Sequence, residues 1–444
     1  MRKPGKQPPK PRSAYGGAWR NMASNLSIIL GERVVFGLVN LAAVAIAARA
    51  MPLHDFGVVV MLQAYVRLWG GVMKFQAWKA VLSYGQPMLE AGDRPGFRRL
   101  IGFLMRLDIA AIAIAIAIAY ATIEPVGRLL SWPPEVVELA PWYTLLLAVM
   151  MPSASVGILR ILDRFSVLAG QHAVNAVMRL FGAALIYAFG GGAFELALAW
   201  GAATLIAGLY MIGVSLTEAK RRGLFPSFRG GWGVGRDYPG IWRFIGVTSV
   251  SSTLENTLTQ ATVLIVGGLL GAGETALFAF ARQITDVLTK LGSVMGPIIF
   301  PEIARMEARG QRRSLVKLIT RTALLTAGFL GAVVLVLIFG GKLLLTMLFG
   351  AEAAGAYGFL VASGAAASML ALGFPFEPAL LSIGNVRSVL LTISAATLIF
   401  GVVIAAAIQP LGLVGVGIAL FAHAAFLTAS RAAILFAAFR RRED

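Results

Sequence analysis

Stretches of roughly 20 mostly apolar residues recur from Asn25 to Phe439 with only short interruptions, and this recurrence constrains the fold more than any motif does. A helix needs about 20 residues to cross a hydrocarbon core of about 30 Å. In lipid every backbone N–H and C=O must find a partner within the protein, which leaves helices or closed barrels as spanning structures. Apolar runs of this length select helices. With 58% hydrophobic and 14% charged residues and a mean hydropathy of +0.79, the chain carries more apolar surface than a water-soluble core of its size could hide.

Punctuation by Gly, Pro and charge places spans near 26–48, 56–78, 101–122, 141–159, 166–189 and 193–216. A second set falls near 244–268, 275–300, 318–339, 356–381, 387–408 and 411–438. The expected fold is an all-α membrane protein of about twelve transmembrane helices in two six-helix bundles. Residues 1–25 form a basic tail, 26–216 the first bundle, 217–243 a basic linker, 244–438 the second bundle and 439–444 a short tail. The apolar segment after the first tail is too long for a signal peptide and lacks a convincing small-residue cleavage site, so it is read as a retained span.

The net charge of +18 would suit nucleic acid in a soluble chain, but here the placement of the charges matters more than their sum. With the first tail on the cytoplasmic side, the cytoplasmic segments hold 29 of the 39 Lys and Arg, and the opposite segments hold three: Arg49, Arg128 and Lys342. This asymmetry puts both termini in the cytoplasm and makes the protein a multi-pass protein of a bacterial inner membrane, with membrane lipid rather than nucleic acid as its surroundings. The remaining seven basic residues lie inside the spans.

Several chemistries are excluded or lack their motifs. The chain has no cysteine, so disulfides, thiolate metal sites and a cysteine nucleophile are absent. There is no Gly-x-x-x-x-Gly-Lys phosphate loop and no His-Glu-x-x-His, and His54, His172 and His423 are too few for a His-rich metal site. No enzyme activity and no cofactor are expected, apart from a coupling ion, H⁺ or Na⁺.

Ionisable residues within spans are the informative ones, because each costs several kcal/mol in lipid unless it faces protein or water. Steps of four, seven and four place Gln63, Arg67, Lys74 and Trp78 on one face of the second span. The fifth span carries Gln171, His172, Asn175 and Arg179, and the eighth Arg282, Gln283, Asp286 and Lys290. Arg67, Lys74, Arg179, Arg282 and Lys290 are therefore candidate ligands for an anionic group, the arginines offering a planar fork of donors. Plainer readings stand beside these: Arg282 and Asp286 as a structural i,i+4 pair, and Lys74 and Lys290 as basic chains reaching for the cytoplasmic surface. Arg431 reads as an anchor at the end of the last span, and Arg33 beside Glu32 as a local pair.

Glu255, Glu32 and Glu377 are the candidate ion-coupling acids, because a carboxylate in a low-dielectric cavity can carry a proton or bind Na⁺. Glu255 lies deep in its span beside Asn256, Thr259 and Gln260, and serves equally as a hydrogen-bonded structural acid. Glu377, between Pro375 and Pro378, also suits a hinge. Gly70-Gly71, Pro297 and Pro301 are plausible bending points. The Ala/Ile alternation from Ala110 to Ala119 reads as filler facing lipid or a neighbouring helix.

Two stretches carry a family resemblance. Ala48-Arg49-Ala50-Met51-Pro52-Leu53-His54-Asp55-Phe56-Gly57 is similar to the signature A-R-x-L-x-x-x-D/E-F-G that joins the first two helices of polysaccharide transporters, with Met51 at the Leu position. Gly296-Pro297-Ile298-Ile299-Phe300-Pro301-Glu302-Ile303-Ala304-Arg305 resembles the family's P-x-x-x-P-x-x-S/A-R near the eighth helix. A faint internal repeat pairs residues 51–57 (MPLHDFG) with 270–276 (LGAGETA), each between the first two spans of a half. The resemblance implies a member of the multidrug/oligosaccharidyl-lipid/polysaccharide (MOP) superfamily, a V-shaped MATE-like transporter alternating access across the membrane. It further implies flipping of an undecaprenyl-pyrophosphate-linked oligosaccharide for O-antigen or exopolysaccharide biosynthesis, with polysaccharide-assembly enzymes as partners. The rivals are a cation-coupled multidrug exporter of the same fold, which would favour acids in its cavity, and a membrane O-antigen polymerase or ligase. The latter resembles chains with a large external loop, whereas the external segments here are short.

Overall fold

The computed structural model describes residues 35–229, 237–286, 312–383 and 385–440, and among these every regular element is helical. The first half comprises α1 (Val35–Ala50), α2 (Leu53–Met73), α3 (Ala77–Glu90), α4 (Arg94–Leu129), α5 (Pro134–Thr144), α6 (Leu147–Met150), α7 (Ser153–Ile161), α8 (Phe165–Phe189) and α9 (Ala193–Arg221). The second comprises α10 (Ile241–Leu270), α11 (272–286), α12 (Arg312–Phe349), a 3₁₀ turn at Ala351–Ala356, α13 (Tyr357–Leu372), α14 (Phe376–Ser382) and α15 (Val386–Arg440). The second bending region, with Pro297 and Pro301, lies outside the described residues.

Among the described residues seven helices are long and apolar enough to cross a membrane, or eight when α5 is joined to 147–161 across a 53° bend. Helices and expected spans follow the same order, but their ends differ for physical reasons. α4 has 36 residues, about 54 Å of helix, so it overruns the hydrocarbon core. Its first turns carry Arg94, Arg98 and Arg99, and the Asp93 carboxylate caps it by accepting from the Gly96 amide at 2.9 Å. α15 has 55 residues and holds two expected spans. The backbone leaves helical torsions at Gly412 (φ 57°, ψ −135°), where an L side chain would be strained, and folds back so tightly that a β-carbon at Gly415 would overlap the Ala407 carbonyl.

The expected helix 56–78 is two helices. α2 stops at Met73, Lys74 is extended (ψ 112°), and α3 begins at Ala77, so Trp78 does not continue the face of Gln63 and Arg67. Gly70 and Gly71 lie inside regular helix; the break comes three residues after Gly71. Side chains from elsewhere receive the freed backbone groups, with the Gln76 amide donating to Ser249 Oγ at 3.0 Å and the Trp78 amide to Ser153 Oγ at 3.1 Å.

The Ala/Ile run packs as its alternation allows: Ala111, Ala115 and Ala119 form a buried stripe at helical spacing, while Ile114 is exposed. Tyr65 of α2 closes on this stripe by donating its hydroxyl to the Ala119 carbonyl. Both turns of the internal repeat start helices, with Asp55 in the first turn of α2 and Glu274 at the same step of α11. These two helix starts touch, and a β-carbon on Gly57 would collide with the Ala272 backbone. Phe56 wedges between the halves, edge-on to Trp200 at 5.9 Å and 4.9 Å from Phe280, which stacks on Phe349 at 4.6 Å. The Asp-Phe-Gly turn thus supplies the filling side chain and the close backbone approach that join the halves at this end.

Candidate functional site

Three cavities adjoin one another across the two halves. One of about 460 Å³ lies within the first half among α2 and α5–α9, one of about 290 Å³ lies between the halves, and one of about 540 Å³ lies in the second half. The first two share Gln63 and Arg67; the last two share Thr259, Phe278, Arg282 and Asp286. Arg67 and Arg282 therefore stand at the two thresholds of the series. The repeat explains why they face each other: a shift of 219 residues, which aligns Asp55 with Glu274, also aligns Gln63 with Arg282 and Arg67 with Asp286. Each half thus contributes one i,i+4 polar pair at the same step of the repeat.

Arg67 lies deep in the protein yet is exposed, because the space it faces is cavity rather than packing. It donates to Gln63 Oε1 at 3.1 Å. Arg282 Nε lies 3.6 Å from Asp286 Oδ1, a long contact on a partly open pair. Arg179 lines the central cavity, with its guanidinium carbon 3.9 Å from the centre of the Trp200 indole and its Nε without a hydrogen-bond partner. Asp286 is the sole carboxylate lining the three cavities among the described residues. The central cavity thus presents three guanidinium groups against one acid, an arrangement that attracts anions and stabilises phosphate-like oxygens.

The first-half cavity is also basic. Lys74 lines it, donating from Nζ to the Met150 carbonyl at 3.1 Å, and so do Gln171, His172 and Asn175. Arg160 lines it too, with its guanidinium carbon 3.9 Å above Trp78 and its Nε unpaired. Counted by sequence among the cytoplasmic basic residues, Arg160 is instead a wall of the cavity. The second-half cavity is mostly apolar with scattered hydroxyls, and His423 reaches it with a buried Nδ1 that lacks a partner.

Among the expected basic ligands, Arg67, Lys74, Arg179 and Arg282 line this series and Lys290 lies outside the described residues. Glu32 also lies outside them, as does the side chain of Glu255, whose backbone belongs to α10. Glu377 lines none of the three cavities. Its Oε2 accepts from Arg431 Nη1 at 2.6 Å, and Arg431 is only 7% exposed, so Arg431 is a buried ion-pair partner rather than the expected surface anchor.

Asp108 joins the candidates from the structure. It sits in the apolar part of α4, 5% exposed, and accepts from the Ala154 amide at 2.7 Å. A lone acid just ahead of an Ala/Ile run is the signal that marks it.

No family model matches the chain. It is 28% identical over 342 residues to the Inner membrane protein YghQ of Escherichia coli (strain K12), covering 77% of this chain and 96% of that protein. Solved structures resemble it along nearly its whole length. An inward-facing multidrug resistance MATE family transporter of the MOP superfamily superposes with a TM-score of 0.70 at 17% identity, over 92% of this chain and 94% of that one. The lipid II flippase MurJ in an inward closed conformation gives a TM-score of 0.72 at 11% identity, over 92% and 87%. A Pyrococcus furiosus MOP superfamily transporter noted for the reverse polarity of its binding pocket gives 0.55 at 16% identity, over 94% and 93%. The chain is an all-α, multi-pass membrane protein with the fold of MOP superfamily transporters.

Proposed function

We propose that this protein is an inner-membrane transporter that flips an undecaprenyl-pyrophosphate-linked oligosaccharide by alternating access, coupled to H⁺ or Na⁺, in polysaccharide biosynthesis. The observation that carries this reading is the central cavity, where Arg67, Arg179 and Arg282 face one space and a single carboxylate offsets them. A fixed excess of positive charge at membrane depth is costly unless it meets an anion or water, so the site is built for a substrate with an anionic head. A pyrophosphate fits that demand, and the arginine forks give directional contacts that lysines would lack. The sugars would occupy the polar first-half cavity while the polyprenyl tail stays in lipid. A drug exporter for cations would want the reverse balance of acid and base. Likeness in fold to a lipid II flippase is consistent with the reading, as is a relative named as an inner membrane protein.

The test is flipping of a labelled polyprenyl-pyrophosphate oligosaccharide in proteoliposomes. Wild-type protein should move it, and Arg67→Ala and Arg282→Ala should each reduce the rate about ten- to a hundredfold, the factor expected for one charged hydrogen bond. Normal flipping by both variants would show that the arginines do nothing for the substrate, and a lowered melting temperature beside it would show that they hold helices together.

A further inference from the structure

Lys74 and Asp108 cap the two sides of a helix break and between them replace the Met150–Ala154 backbone hydrogen bond. In a continuous helix the Ala154 amide would donate to the Met150 carbonyl, four residues back. Here the Ala154 amide donates to Asp108 Oδ2 at 2.7 Å, and the Met150 carbonyl accepts from Lys74 Nζ at 3.1 Å. Between α6 and α7, Met151 keeps helical torsions (φ −93°, ψ −19°) while Pro152 does not (φ −57°, ψ 91°). The break therefore amounts to one torsion, the ψ of Pro152, and proline tolerates a kinked helix as well as a break. Lys74, at the break between α2 and α3, also lines the first-half cavity, within reach of whatever anion enters it.

We propose that Lys74 and Asp108 form a proton-coupling switch in which anion binding to Lys74 drives proton binding to Asp108, with closure of the Met150–Ala154 bond as the structural consequence. The proposal rests on the reading of the cavity as an anionic substrate site. An anion in the cavity draws the Lys74 ammonium off the Met150 carbonyl. Asp108, 5% exposed, then loses its counter-charge and takes up a proton that enters by way of the cavity Lys74 lines. A neutral carboxyl accepts a weaker hydrogen bond than a carboxylate does, so the Ala154 amide returns to the free Met150 carbonyl and the α6–α7 helix closes.

Lys74 and Asp108 cap opposite sides of the Met150–Ala154 gap, which puts their charges close enough to act on each other. Of the other ionisable side chains on neighbouring elements, Arg67 holds Gln63, Tyr65 the Ala119 carbonyl, Tyr143 the Ala197 carbonyl, and Lys79 and Arg160 lie against Trp78.

Two measurements on the full chain test the switch. The first is affinity for a fluorescent polyprenyl-pyrophosphoryl disaccharide in nanodiscs as a function of pH. Both phosphates of this probe are esterified, so its charge stays constant through the range. If one proton is taken up per anion, wild-type affinity rises about tenfold for each pH unit of fall. Asp108→Asn, already neutral, should bind at the wild type's low-pH affinity throughout, and Lys74→Met should bind weakly with no pH slope. A flat wild-type profile, or a wild-type slope in Asp108→Asn, overturns the proposal.

The second measurement needs no substrate. The cysteine-free chain accepts spin labels at Leu145→Cys, exposed before the break, and Phe165→Cys, exposed beyond α7. Acidification of this labelled protein should shift the label distance, and Asp108→Leu, which offers no acceptor, should shift it the same way at neutral pH. A distance unmoved by acid overturns the switch even if Asp108→Leu fails to fold. Absence of probe binding at every pH, with the label shift intact, would fault the substrate reading and leave the switch standing.

Discussion

The Arg179 guanidinium carbon lies over Trp200, 3.9 Å from the ring centre, and Trp200 completes the pairing by donating its indole N–H to the Arg179 backbone carbonyl at 3.2 Å. Trp200 is 1% exposed and fixes both the main chain and the guanidinium of Arg179, which aims the fork into the central cavity at little entropic cost. Replacing Arg179 with Lys keeps the charge but loses the stacked plane, so flipping should fall in the order Arg, Lys, Ala with melting temperature nearly constant between Lys and Ala. Trp200→Phe keeps a ring and loses the donor, at about 1 kcal/mol, whereas Trp200→Ala opens a cavity costing about 3–5 kcal/mol. Flipping rates and thermal unfolding of these four variants separate aiming from support.

Glu377 and Arg431 should behave as a structural pair. Removing the acid leaves a charge that is 7% exposed without its counter-ion, and Glu377→Ala should lower stability by about 1.5–3 kcal/mol, less than for a fully buried pair because Glu377 itself is half-exposed. The double variant Glu377→Leu/Arg431→Met should recover most of that loss. Transport by the stable double variant with unchanged ion dependence would remove Glu377 from the coupling candidates; a lost ion dependence would restore it.

At Gly57 any side chain must displace the Ala272 backbone. Gly57→Ala should slow transport and Gly57→Val should abolish it, while the aromatic stack of Phe56, Phe280 and Phe349 holds the melting temperature within a few degrees. Labelling of a cysteine introduced at Leu53 by a water-soluble maleimide reports whether this end is forced open. Equal labelling of the Gly57→Val and Gly57 backgrounds would mean that the halves meet here without governing access.

Charge placement predicts the orientation. Reporter fusions after Arg222 and Arg442 should read as cytoplasmic and those after Glu135 and Ala353 as periplasmic. Glu135 opens α5 and Ala353 lies in the 3₁₀ turn ahead of α13, so all fusion points but Arg442 fall at described ends of helices. A cytoplasmic signal at Glu135 would break the alternation on which the orientation depends.

The order of the helices was legible because lipid demands long apolar runs, and the sequence writes those runs plainly. Arg67, Arg179 and Arg282 were legible for the complementary reason, since charge at that depth calls for a cavity. What escaped were features made by distant partners. The break at Lys74-Phe75-Gln76 contains no Gly or Pro, and its amides are held by Ser249 and Ser153, which no local pattern reveals. The Arg431–Glu377 pair spans 54 residues, so Arg431 read alone looks like an anchor. Arg160 lies near the end of a span and reads by position as facing water, whereas its place over Trp78 makes it a wall of the first-half cavity.

The α6–α7 break has a consequence for how the chain enters the membrane. A span with an open carbonyl at Met150 and an open amide at Ala154 would carry a penalty of several kcal/mol if released alone into lipid. Lys74 and Asp108, which cover those two groups, precede them in the chain, so by the time the interrupted span leaves the ribosome its caps already wait in the bilayer. The earlier helices thus act as an in-built docking partner for a later one, which on its own escapes that penalty only by closing the Met150–Ala154 bond.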